Sequence, residues 1–155
     1  MKSKTWAVWL TLTVGALGLH RLYLGRYDVW AKLLPLPTLL GSYGVWRARS
    51  FGVDDQGSWL LMPLLGLTLA ACALNAIVYG LMSAEKWNQQ FNPEAPDAPQ
   101  GETHWMTVVG LVAALGLGTT VLMATLAFGI QRSFEYQMQP SQSTPPTAEV
   151  KKSAD

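Results

Sequence analysis

Two histidines, one cysteine and a thin scatter of carboxylates are the side chains this 155-residue sequence offers for catalysis or metal binding. His20 is followed by Arg21 and, two residues on, Tyr23; His104 follows Glu102 by two; Cys72 stands alone. A single cysteine excludes an intramolecular disulfide and any multi-cysteine metal site. His20 falls in one connection and Glu102 with His104 in another, short of a zinc ligand set, so no metal site is expected. No GxSxG elbow, phosphate-cradling GxxxxGK(S/T) loop or HExxH helix is present. The expectation is therefore a protein that is not an enzyme and takes no cofactor. Net charge is +1, which leaves no polybasic surface for nucleic acid.

The elements that position these residues are set by four apolar stretches: Thr5 to Leu24, Val29 to Trp46, Trp59 to Met82 and Trp105 to Ile130. Half of the residues are hydrophobic and 14% are charged, against roughly a quarter charged in ordinary soluble domains. Crossing a hydrocarbon core of about 30 Å takes about 20 helical residues. The third and fourth stretches contain no charged residue, so they lack the polar face of a soluble helix. The seven tryptophans lie near the ends of the stretches, where indole settles at headgroup level. The second stretch is weaker, because Lys32 lies inside its start and Pro35 and Pro37 remove backbone donors. A short helix or turn over 29–34 and a better helix from about Pro37 to Arg49 are expected, with a re-entrant segment as the alternative. Residues 83–104, with a run of prolines, read as extended. The Pro/Ser/Thr-rich tail lacks the apolar content to fold. Met1 to Lys4 and the "ALG" at 16–18 have the outline of a cleaved leader; the run continues directly into a motif and is read as a retained helix.

The fold expected is all-α: a polytopic membrane protein of about four transmembrane helices in two hairpins. Residues 1–50 form the first hairpin, 51–132 the second with its extended loop, and 133–155 a disordered polar tail. An even number of spans puts both termini on one side. Lys2, Lys4, Arg47, Arg49, Arg132, Lys151 and Lys152 then face Arg21, Arg26, Lys32 and Lys86 across the bilayer, which favours cytoplasmic termini. The expected location is a bacterial inner membrane.

Residues 15–26 read GALGLHRLYLGR. Gly15, Gly18, His20, Arg21, Tyr23, Leu24 and Gly25 resemble the signature of the TM-two domain family, a pair of membrane helices joined by a short linker. Gly41, Gly44 and Trp46 resemble the spaced glycines and aromatic of its second helix. Leu22 stands where that family usually has Phe. Arg47, Ala48, Arg49 and Ser50 stand where an aromatic stretch and an Asp would follow. The resemblance covers about residues 5–50 and implies a membrane hairpin with no agreed biochemical activity. Physically, Gly15 and Gly18 let another backbone approach closely, Gly25 permits a left-handed turn, and Arg21 and Tyr23 suit an interface.

Two stripes of small residues complete the pattern. Gly110, Ala114 and Gly118 recur every four residues in the fourth stretch, and Thr68, Cys72, Ala76 and Gly80 in the third, so each set shares a helix face. Such faces allow the close packing that drives helix association in lipid, and the two are expected to face each other or a partner chain. Asn75, mid-way through the third stretch, should find an interhelical hydrogen bond. The function expected is a non-catalytic membrane protein acting through helix packing, an accessory subunit or scaffold. Its partners are the lipid bilayer and a membrane protein or further copies of itself. Two alternatives stand beside it: a channel or transporter component with Asn75, Thr119 and Thr120 along a polar seam, or a lipid or ligand sensor using His20 and Arg21.

Overall fold

The computed structural model describes residues 1–26, 29–52 and 55–138, and among these every regular element is helical. The helices are α1 (Lys4–Val14), α2 (Leu19–Tyr23), α3 (Val29–Leu33), α4 (Pro35–Phe51), α5 (Gln56–Leu81), α6 (Ala84–Phe91) and α7 (Trp105–Met138), with 3-10 turns at Gly15–Leu17 and Pro99–Gly101. Two helices, α5 and α7, are long and apolar enough to cross a membrane. At about 1.5 Å per residue they measure roughly 39 and 51 Å. Large apolar side chains such as Leu60, Leu74, Val112 and Leu117 point outward from them.

α5 is the centre of the bundle, and glycines set how closely its neighbours approach. α4 runs antiparallel to it. A Cβ at Gly41 would lie 2.5 Å from the Leu65 backbone nitrogen, and one at Gly44 would lie 2.6 Å from the Leu61 Cβ. At the far end of this pair the Arg47 guanidinium donates two hydrogen bonds to the Asp55 carboxylate, at 2.6 and 3.0 Å. α7 is antiparallel on another side. Gly80 faces Leu111, Gly118 faces Ala73, Gly66 faces Thr125, and the Trp59 and Tyr136 rings meet near the end.

Asp55 caps α5 by accepting from the Ser58 backbone nitrogen at 2.8 Å. The hydrogen bonds from Arg47 first, and then from Ser58, hold its carboxyl below the usual carboxylate range. A carboxylate whose pKa is depressed on folding stabilises the fold at pH values above its unfolded pKa, about 3.9. That stabilisation is lost as pH falls through the lower folded value. Asp55→Asn should therefore flatten the acid limb of a thermal-unfolding series below about pH 4 relative to the parent chain. A parallel acid limb in both proteins would contradict it.

The first apolar stretch departs from a single span. α1 ends at Val14, and Gly18 adopts a left-handed conformation (φ 78°) with its N–H donating to the Gly15 carbonyl. Only glycine takes that conformation without strain. The chain then folds back through α2, so Leu24 returns to the start of α1, where its carbonyl accepts from Lys2 Nζ at 2.6 Å. The 3-10 turn is the deepest point of this excursion: a Cβ at Gly15 would lie 3.3 Å from the Cys72 side chain, sixteen residues into α5. Ala16 accepts from the Thr38 hydroxyl at 2.7 Å. The half of the bundle nearest Lys2 is thus filled by α1 and α2, with Val8 packed on Gly110. The second stretch divides into α3 and α4 at Leu34.

Among the described residues the two ends of the chain lie apart. Lys2 lies beside Leu24, Gly25 and Asn92, whereas Tyr136 lies beside Trp59 at the opposite end. Residues 133–138, assigned above to the tail, continue α7; residues 139–155 lie outside the described residues.

The 83–104 connection is also more regular than its prolines suggest. Ser83 caps α6 through the Lys86 backbone nitrogen, and the i, i+4 pair Trp87 and Phe91 turns inward onto Tyr79. The Asn88 side chain donates to the carbonyls of Pro96 and Ala98 at 2.9 and 2.8 Å, tying the proline run down. Trp87 is fully buried, whereas Trp6 and Trp105 are exposed. Trp87 therefore belongs to the core of a cap and not to the interfacial set.

Candidate functional site

The polar side chains gather where the cap closes over the folded-back segment. The three residues before α1 are the keystone. Lys2 accepts at its carbonyl from Trp87 Nε1 and Asn92 Nδ2, each at 3.0 Å, and donates its backbone N–H to Asn92 Oδ1 at 2.6 Å. Ser3 donates its N–H to the Tyr23 hydroxyl at 3.0 Å. Lys4 is buried, and its ammonium donates to the Met82 carbonyl at 3.0 Å and to Thr103 Oγ1 at 2.6 Å. Met82 is the C-cap of α5, so the cation meets the negative end of that helix dipole. Thr5 and Thr107 share a hydroxyl contact of 2.7 Å, and Trp9 Nε1 donates to the Met106 carbonyl at 3.1 Å. Together these bonds fasten α1, α6 and the start of α7.

Beneath this layer sits His20. It is 0% exposed, and its ring lies 6.4 Å from that of Tyr79, centroid to centroid. Among the described residues neither ring nitrogen has a hydrogen-bond partner. The motif reading set His20 in an interfacial turn; the fold-back carries it inside. Arg21 is half-buried on the same short helix, and its backbone N–H donates to the Gly18 carbonyl. Gly25 takes the left-handed turn expected of it (φ 73°). Of the two motif glycines, Gly15 provides the close approach to α5, and Gly18 instead makes the reversal.

The small-residue stripes are shared among several neighbours. Gly110 faces Val8 and Trp9 of α1, Ala114 is buried, and Gly118 faces Ala73. Cys72 meets the hairpin turn, Ala76 is buried in the same core as Tyr79 and Trp87, Gly80 meets Leu111, and the Thr68 hydroxyl returns to the Leu64 carbonyl. Asn75 is half-buried. Thr119 lines a largely apolar groove between α5 and α7 that does not include Asn75, and the Thr120 hydroxyl returns to Gly116. These three residues are not assembled into one polar seam. Among the described residues no group of three or more His, Cys, Asp and Glu side chains could hold a metal ion.

Lys2, Lys4, Trp87, Asn88 and Asn92 were not singled out in the sequence as site residues. Their partners lie up to 90 residues away, and only the Trp87–Phe91 spacing after Ser83 signals an inward-facing helix.

These features define an all-helical protein with two helices long and apolar enough to cross a membrane, a folded-back helical segment against them, and a compact cap over it. No protein-family model, no curated protein and no solved structure matches the chain.

Proposed function

We propose that this chain is an integral membrane protein that performs no catalysis and works by packing against another membrane helix, as an accessory subunit or scaffold of a larger assembly. The observation that carries this reading is the outward face of α7. The inward face uses Thr107, Gly110 and Ala114, the only residues of this helix that are buried. On the opposite face Gly116, Thr120, Ala124 and Ala127 are all exposed, and a Cβ at Gly116 would meet nothing within 4 Å. A second file of small residues, left open along a helix long enough to cross a bilayer, suits close approach by another helix in lipid. Apolar side chains over α4, α5 and α7 support the membrane setting. In this setting Lys2, Lys4, Arg21, Arg26 and Lys86 belong to the cap end and Arg47, Arg49 and Arg132 to the other, which favours a cytoplasmic cap. The likeness of residues 15–25 to the TM-two domain signature agrees with a membrane role.

Native mass spectrometry on gently extracted protein tests the reading. A distinct second polypeptide should travel with the chain, and Gly116→Leu combined with Ala124→Leu should release it while the melting curve of the chain stays in place. Gly118→Leu should instead lower the melting temperature, because its Cβ position is 2.7 Å from that of Ala73. A double variant that assembles as the parent does would remove the basis for the proposal.

A further inference from the structure

His20 carries an inference that is independent of the α7 face. A neutral imidazole presents one donor and one acceptor, and a charged one presents two donors. In either state both nitrogens require partners. The His20 ring is fully buried, yet among the described residues neither nitrogen has a hydrogen-bond partner. The Gly15 carbonyl faces the ring without completing a bond. Tyr79 fills the side toward α5 with a tilted ring. One turn earlier α5 carries only the methyl of Ala76. Buried polar groups are satisfied with few exceptions, by ordered water where protein groups do not reach. An apolar side chain of similar size would avoid the requirement altogether.

We propose that the interior of the folded-back segment is a hydration site, in which water bonds the His20 ring nitrogens and bridges them toward the Gly15 carbonyl. The site lies between the cap and the Gly15–Cys72 contact, so it brings water well inside the bundle from the cap end. Its occupant must both donate and accept at a ring that has no exposed surface, which selects water over a lipid headgroup.

The chain has two histidines, and His104 is exposed with its backbone carbonyl, not its side chain, in the Thr107 and Val108 bonds. His104→Gln therefore leaves a single histidine signal in a folded protein. With ring-nitrogen-labelled histidine in lipid vesicles, water-edited solid-state NMR should show magnetisation passing from water to both His20 nitrogens at short mixing times. Both should have hydrogen-bonded shifts, and the ring N–H should be lost rapidly in deuterated buffer. Absent transfer with a free-imidazole shift would overturn the proposal. So would absent transfer with one hydrogen-bonded nitrogen and slow exchange, which would assign the ring directly to Gly15.

Discussion

Gly18→Ala should destabilise the protein more than Gly25→Ala, although both glycines have nearly the same left-handed φ, 78° and 73°. The left-handed backbone costs any L side chain about 1–2 kcal/mol, and that part is common to both. The neighbours differ. At Gly25 a Cβ would come within 2.8 Å of Lys2 Nζ, the end of a flexible side chain that can swing away. At Gly18 the atom at 2.8 Å is the Ala31 backbone carbonyl oxygen, held by α3. Forcing an atom into close-packed surroundings adds about 1–3 kcal/mol. Gly18→Ala should thus lose about 2–5 kcal/mol in reversible unfolding, and Gly25→Ala only the backbone part, about 1–2 kcal/mol. Equal losses would mean that the reversal at Gly18 is not packed against α3.

Trp87→Ala should be the most damaging change in the cap. The indole is fully buried, lies tilted against Phe91 with ring centroids 4.5 Å apart, meets Tyr79 edge-on, and donates to the Lys2 carbonyl. Removing a buried aromatic of this size costs about 3–5 kcal/mol. The loss should be local as well as global, with amide hydrogen exchange accelerated at Lys2 to Lys4 before the α5–α7 pair responds. Trp87→Phe keeps an aromatic ring but loses the donor, about 1 kcal/mol, and part of the buried bulk, so its deficit should fall between that figure and the alanine variant's. Trp105→Ala, at an exposed tryptophan, should leave the melting temperature nearly unchanged. Comparable losses at Trp87 and Trp105 would contradict the buried cap.

The two longest helices were legible in the sequence because uninterrupted apolar runs admit few other readings. The break in α4's stretch was legible for a related reason: Pro35 and Pro37 act locally. What composition cannot distinguish is a straight span from one that folds back. Thr5 to Leu24 has the length and character of either. The outcome is decided by Gly18's backbone and by Lys2 meeting Asn92 across 90 residues. The glycine pair was noticed, but as a thinned helix face, since close approach and chain reversal both call for glycine. The cap was misjudged for a similar reason. Prolines argue for an extended path, and only the Asn88 bonds to residues 96 and 98 make that path compact. The stripes in α5 and α7 marked packing faces without telling which neighbour each residue would meet.

The sidedness of single cysteines tests the fold-back of the first stretch directly. In a Cys72→Ala background, cysteines at Ser3, Arg26, Ser50, Glu94 and Gln137 are to be labelled in intact cells and in inverted vesicles with a membrane-impermeant maleimide. Ser3, Arg26 and Glu94 should react from one side of the membrane, and Ser50 and Gln137 from the other. Labelling of Arg26 from the side opposite Ser3, as a straight first span requires, would contradict the account.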